Sequence, residues 1–412
     1  MSQEQEHTTP LTVSIVGAGI AGLTAATALR RNGFTVHVYE ADEHKVEVGT
    51  ALGVPPNGVR VLESLGGLDK ANLHGVPNQG QVMFNASTGA VFKTVEWLLP
   101  LLKTNPILLV HRSDLYAELE RLALGPGEGP PVVLHLASKI VDCDVEKGVL
   151  TLDNGQIVQS DLIVGADGIN STIRTHILGY KERAQTMACV YRAVLEVDKF
   201  AQGDLAWLEE ISITAPYTIF PTSGPRRMIT VYPCHDGTLL NFICAFEDPL
   251  QDDPNWVPSG THADIEALFP DLHEKFKPLL AALPDVVMKW RLRQLPVLPT
   301  WVRGRALLVG DAAHASLPFL QQGSGLAIEA GAALRALFPK GTKSADVPAR
   351  VAAYELCKPR GDFVVTESVQ QMVVPEKRGE IFRSVEMQAK MMEYDIAQVA
   401  EEFYREKFLK AD

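Results

Sequence analysis

The hydrophobic pattern is clearest near the start of the chain. Leu11 to Val16 is an apolar, β-branched run that reads as a buried strand. Gly17-Ala18-Gly19-Ile20-Ala21-Gly22 turns from it into an alanine-rich helical pattern that closes at Asn32-Gly33. A second strand, Thr35 to Tyr39, ends on Glu40. Two later apolar runs have the same ending. Leu162-Ile163-Val164 leads into Gly165-Ala166-Asp167-Gly168, and Arg305 to Val309 leads into Gly310-Asp311. An acid at a strand end, flanked by glycines, is where backbone N–H groups and a carboxylate converge; the plainer alternative is a turn with a helix cap.

Between these runs the period changes. Residues 81–95 alternate loosely as strands, and His111-Arg112-Ser113-Asp114-Leu115 opens a helix with Ser113 or Asp114 as its N-cap. Residues 132–164 read as a small antiparallel meander with a type I′ turn at Asn154-Gly155. From Cys189 to Phe246 the chain is rich in strands and holds no second nucleotide fingerprint, which predicts a separate antiparallel sheet. Pro318 to Glu329 starts a helix at a glycine-rich entry, suited to stabilising negative charge on a bound ring. The segment from Pro375 to Lys410 carries apolar residues at Ile381, Val385, Met392, Ile396, Val399 and Phe403, an amphipathic helix to be packed on the body.

The first fingerprint has a chemical reading. Gly17 makes the tight turn, Gly19 leaves no Cβ in the way of a pyrophosphate, and Gly22 lets helix and strand pack closely. Phosphates then sit at the helix N-terminus, and the Glu40 carboxylate accepts the hydroxyl protons of an adenosine ribose. A tight turn with no ligand is the rival reading. The small-residue stretch after Glu40, which includes Ala51 and Gly53, can pass close to a flat ring or serve as an ordinary connection.

Bulk properties narrow the classes. With 412 residues, two or three domains are expected. A net charge of −12 and a pI near 5.4 exclude nucleic acid or an anionic membrane as the main partner. The polar, acidic N-terminus lacks the features of a secretory signal, and no apolar run is long enough to span a membrane. The five cysteines have no CxxC spacing, so they read as reduced residues of a cytoplasmic, intracellular protein, and no metal site is expected. Ser316 and His314 lie outside any GxSxG elbow, so His314 is expected to pack or cap.

Gly17 to Gly22 with Glu40, then Asp167-Gly168, then Gly310-Asp311 together resemble the group A flavin-dependent monooxygenases, the aromatic hydroxylases, and most closely their salicylate-hydroxylase-like branch. The resemblance spans residues 11–345 and implies an α/β fold. Its parts would be a Rossmann-like FAD-binding domain (1–80, 105–185 and 290–345), a mixed or antiparallel β-sheet substrate domain (81–104 and 186–289) and C-terminal helices (346–412). It also implies roles. Glu40 would bind the FAD ribose, Arg112 the phosphate and ribityl region, and Asp311 the ribityl chain. Asp167 would lie between the pyrophosphate and the route of the nicotinamide donor, with Gly323 and Ser324 near the flavin ring. The loop from Gly49 to Gly53 would pass along the ring's other side. Arg192 would face the substrate, with Tyr217 or Tyr232 as its partner. The usual Glu-Asp after the third motif is Glu329-Ala330 here.

The implied reaction is hydroxylation of a phenolic small molecule with O2, through a flavin C4a-hydroperoxide. NADH or NADPH would be the transient electron donor, and the enzyme would be a monomer or homodimer. Two alternatives stay open: the same flavin chemistry used to epoxidise or dearomatise an indole, alkene or polyketide-type substrate, and a non-catalytic nucleotide-binding regulatory protein.

Overall fold

The first strand, Thr12–Val16, is central in a six-stranded sheet, and four of its five residues are buried. Its parallel neighbours are Thr35–Tyr39 on one side and Leu162–Gly165 on the other. Ala306–Leu308 continues the sheet beyond Leu162–Gly165. The computed structural model describes residues 10–43, 50–209, 211, 214–221, 226–248, 256–373, 377, 380 and 383–409. Gly49 of the ring-side loop and Ile381 of the C-terminal pattern lie outside the described residues.

Three strands that run into glycine turns, the two later ones with an acid, therefore lie side by side, and their turns open at one edge. The helix Ile20–Arg31 is buried nearly all round because it lies between this sheet and the helix Gly323–Leu337. The two helices approach closely: a Cβ on Gly331 would lie 2.7 Å from the Thr24 methyl.

An eight-stranded sheet draws its strands from Gly80–Asn85, Val91–Glu96 and the segment between residues 185 and 294. One face is packed by the helices His262–Leu268 and Lys277–Ala281 over Phe84, Tyr191, Tyr217, Val231 and Phe242. A small sheet joins Ala51–Val54, Ile107–His111 and Val76–Asn78.

The structure corrects four local expectations. Val133–His135 pairs in parallel with Thr35–Tyr39, and Leu162–Gly165 with Thr12–Val16, so only residues 140–159 form the antiparallel meander. Short apolar strands read alike in both settings, and the partner decides. The hairpin at Asn154-Gly155 is present, but only Gly155 has positive φ (83°), so its turn is not type I′. His111 holds the N-cap position of the helix Arg112–Leu124, without a side-chain capping bond, which leaves Ser113 and Asp114 inside its first turn. The C-terminal pattern is two helices, Val385–Met392 and Ile396–Tyr404, and the Asp395 side chain caps the second. Among the described residues no helix is long and apolar enough to cross a membrane.

Candidate active site

The three glycines of the first motif play different parts. A Cβ on Gly22 would lie 2.0 Å from the Gly17 carbonyl oxygen, and one on Gly17, at φ 102°, would lie 2.4 Å from the Ala166 carbonyl oxygen. Both positions are closed by the protein's own backbone. A Cβ on Gly19 would meet nothing within 4 Å. That open position stands at the N-terminus of a helix with no side-chain cap and no acid in its first turn, so its N–H groups are available to an anion. Glu40 stands beside it: its Oε2 accepts from the Ala18 N–H at 2.8 Å and its Oε1 from the Asp42 N–H at 3.1 Å.

The second and third motifs meet the first. Besides the contact of Gly17 with Ala166, a Cβ on Gly310 would lie 2.7 Å from Ala21 Cβ. Arg174 links the two later motifs by donating to the Ala312 carbonyl at 3.0 Å and the Ile169 carbonyl at 2.6 Å. Asp167 is occupied locally: it accepts from the Ser171 hydroxyl at 2.5 Å, the Thr172 N–H at 2.7 Å and the Ile173 N–H at 3.2 Å, and so caps the helix Thr172–Leu178. Asp311 is accessible yet closely surrounded by protein, as befits a residue lining a cleft. Burial raises its carboxyl above the usual range, and the Arg112 cation pulls it down.

Arg112 lies at the entrance of its helix, where its N–H donates to the Thr50 carbonyl at 2.9 Å. Thr50 is also reached from the eight-stranded sheet, because Arg192 Nη1 stands 3.3 Å from its hydroxyl. The next residue is held on both sides. Ala51 N–H donates to Asn241 Oδ1 at 3.1 Å, and the Tyr232 hydroxyl donates to the Ala51 carbonyl at 2.9 Å. Two residues on, the Ser324 hydroxyl donates to the Gly53 carbonyl at 2.5 Å. A Cβ on Gly323, at the start of that helix, would meet nothing within 4 Å.

Arg192 is a largely enclosed cation. Desolvation lowers its pKa, the Arg112 charge lowers it further, and Tyr232 opposes the shift. Its Nε is buried without a hydrogen-bond partner, and among the described residues no carboxylate pairs with it. Tyr232 shares its face of the sheet. Tyr217 does not: it pairs with Val231, and strand alternation turns it into the apolar cluster with Trp207 at 5.9 Å between ring centroids. Of the two tyrosines expected beside Arg192, the fold brings only Tyr232 there.

The three motifs thus meet at one edge of the first sheet, and Thr50 joins Arg112 there to Arg192 of the eight-stranded sheet. A family model described as FAD binding domain matches residues 10–356. The chain belongs to that family. It is 39% identical over 403 residues to hispidin-3-hydroxylase of Neonothopanus nambi, with 94% of each chain covered. It is 33% identical over 363 residues to the FAD-dependent monooxygenase cfoG of Aspergillus candidus, covering 84% of this chain and 81% of that one. A solved salicylate hydroxylase substrate complex shares the fold, with a TM-score of 0.75 at 20% identity, over 96% of this chain and 98% of that one. The chain is thus an FAD-dependent monooxygenase.

The site fits that cofactor on its own observations. The space left at Gly19 and Gly323, the uncapped helix N-terminus at Ile20 and the accessible Asp311 are features a nucleotide-bearing flavin would use. Several contributors had no strong sequence signal. Asn241 is fully buried in an otherwise apolar strand, and that isolated polar position was the available clue. Glu329 is paired at 3.5 Å with Arg360, which also donates to Gln322 Oε1 at 2.8 Å, just before Gly323. His314 packs at 5.1 Å between ring centroids from Trp301, with a pKa lowered to about 4 by burial, so it is a neutral structural residue at neutral pH.

Proposed function

We propose that this FAD-dependent monooxygenase hydroxylates a phenolic ring, and that Arg192 receives the phenolic oxygen. The observation that carries the reading is an enclosed guanidinium, on the flavin-side face of the substrate sheet, with no carboxylate paired to it among the described residues. An unpaired cation in such a site favours an anionic guest and lowers the pKa of a nearby phenol. The phenolate form is the electron-rich one that aromatic hydroxylation requires.

Bound FAD supplies the redox chemistry and the activation of O2. The protein's part is to hold and orient. Gly19 and the N–H groups after it receive the pyrophosphate, Glu40 the ribose hydroxyls, and Arg112 and Asp311 the chain leading to the ring. Tyr232 and Asn241 fix the peptide groups of Ala51 from the eight-stranded sheet, and the Ser324 hydroxyl fixes the Gly53 carbonyl from the other side, so the strand between them is held at both ends. NADH or NADPH is inferred as electron donor. A groove of about 190 Å³ beside the second motif, lined by Arg174, Lys181, Arg183 and Arg293, suits its phosphates. Five buried thiols accord with an intracellular enzyme.

The test is direct. Purified protein should be yellow, consume NAD(P)H faster when offered phenols, and yield products heavier by one oxygen atom. A colourless protein after reconstitution with FAD, or flavoprotein that oxygenates no phenol in a broad panel, would refute the reading.

A further inference from the structure

We propose that Lys181, Arg183 and Arg293 form a clamp for the 2′-phosphate of NADPH, so that the enzyme takes NADPH in preference to NADH. The proposal rests on the reading of a nicotinamide donor given above and names which of the two it is.

The fold brings these cations together from two segments. Gly179, at φ 78°, ends the helix Thr172–Leu178, and Lys181 and Arg183 follow it as exposed side chains. The strand that starts at Gln185 then pairs Thr186 with Arg293, which sets Arg293 beside that segment. All three line the groove of about 190 Å³, next to Asn170 and Arg174. Glu182 is the one acid in its wall, and its carboxylate accepts from the Arg183 N–H at 3.0 Å. Arg293 donates to Asn170 Oδ1 at 3.3 Å, a neutral partner. Among the described residues no ion pair involves Lys181, Arg183 or Arg293, in a chain with 50 acids against 38 bases. Surface cations are often merely solvated, but these converge in one accessible concavity.

A reduced dinucleotide offers two kinds of phosphate. The bridging pyrophosphate is ordinarily received by free N–H groups at a helix N-terminus. The helix beside this groove has none free: Ser171 N–H donates to the Gly168 carbonyl, those of Thr172 and Ile173 to Asp167, and that of Arg174 to the Ser171 hydroxyl. The Arg174 guanidinium is itself committed to the Ile169 and Ala312 carbonyls. What remains is a set of side-chain cations. They suit a terminal phosphomonoester, which carries about two negative charges at neutral pH and presents three acceptor oxygens. In NADPH that group is the 2′-phosphate, and NADH has a hydroxyl in its place.

The experiment uses FAD-loaded enzyme. Calorimetry measures binding of adenosine 2′,5′-bisphosphate and adenosine 5′-monophosphate, and anaerobic mixing with NADPH or NADH measures flavin reduction by absorbance, so neither result depends on which compound is oxygenated. The wild type should bind the bisphosphate roughly tenfold more tightly than the monophosphate and be reduced by NADPH with the same advantage, which narrows at high salt because exposed charges are screened. Lys181→Ala/Arg183→Ala should lower the NADPH rate roughly tenfold through Kd and the NADH rate by no more than about threefold. Should the double variant lose FAD, Arg183→Gln is judged by the same ratio. Equal use of both nucleotides by the wild type, or equal weakening of both by the substitutions, overturns the proposal. If phenols are oxygenated with NADH as readily as with NADPH, the proposal falls and the hydroxylase reading stands. If neither nucleotide reduces the flavin, the donor reading falls with it.

Discussion

The guanidinium of Arg192 lies 3.3 Å from the hydroxyl of Thr50, so a cation of the eight-stranded sheet touches the chain just before the strand Ala51–Val54. The Thr50 carbonyl in turn accepts the N–H of Arg112 at the opening of the helix Arg112–Leu124. The eight-stranded sheet and the helix Arg112–Leu124 therefore meet at one short peptide. Arg192→Ala should lower hydroxylation at least a hundredfold and leave FAD content unchanged, because the open turn at Gly19 and the Glu40 carboxylate beside it do not involve it. Product yield and bound-flavin absorbance measured on one preparation check this. Arg192→Lys should recover only part of the loss, since an ammonium keeps the charge without the planar fork. Full turnover in Arg192→Ala would remove it from the site.

The first motif makes a prediction that separates folding from binding. Gly19 has φ −74° and room for a Cβ, so Gly19→Ala should fold and, without flavin, melt as the wild type does. Its affinity for FAD should fall at least tenfold, about 1.4 kcal/mol, because the new methyl occupies the ligand's approach. Gly22→Ala should behave in the opposite way. Its methyl would press on the Gly17 carbonyl at 2.0 Å and misplace the strand-to-helix turn, giving poorly soluble protein whatever the flavin concentration. Flavin titration and thermal melting of both variants decide it.

What could be read from sequence follows the range of the interactions. Strand, glycines, helix and Glu40 form one local unit, and each glycine's role follows from its place in the turn. The grip on Ala51 was not legible, because Asn241 and Tyr232 stand 190 and 181 residues away from it. The choice between Tyr217 and Tyr232 depended on parity. Tyr217 pairs with Val231, the immediate neighbour of Tyr232, so the two tyrosines point to opposite faces. Register carries that information, and it is set by pairing between strands rather than by either strand alone.

The C-terminal helices, read from sequence only as a packed amphipathic segment, are tied to the helix Gly323–Leu337 through Arg360. Its guanidinium donates to the Lys390 carbonyl at 2.9 Å, the Met391 carbonyl at 2.8 Å and Gln322 Oε1 at 2.8 Å, and it is paired with Glu329. Arg360→Met leaves the Glu329 carboxylate buried without its cation, which costs about 3–5 kcal/mol in comparable sites. Denaturant unfolding should show a loss of that order, accompanied by faster FAD release because Gln322 precedes the Gly323 entry. Adding Glu329→Gln should restore part of the stability. A double variant no better than the single one would show that the lost hydrogen bonds, not the stranded charge, dominate.

His314 should make the protein acid-sensitive. Its ring is buried against Trp301, with the Arg360 charge adding to desolvation, so its pKa drops from 6.5 to about 4. A group whose folded pKa is depressed takes up its proton more readily in the unfolded chain. Stability is therefore fully present above pH 6.5 and is lost as pH falls towards 4, the slope following the extra proton bound by the unfolded state. The linkage amounts to about 2 kcal/mol between pH 7 and pH 5, in a full effect of about 3 kcal/mol. Urea midpoints measured across that interval should fall accordingly. His314→Gln, which cannot titrate, should be less stable at pH 7 because it packs less well against Trp301, yet show a flatter acid limb. An unchanged limb in that variant would place the acid sensitivity elsewhere.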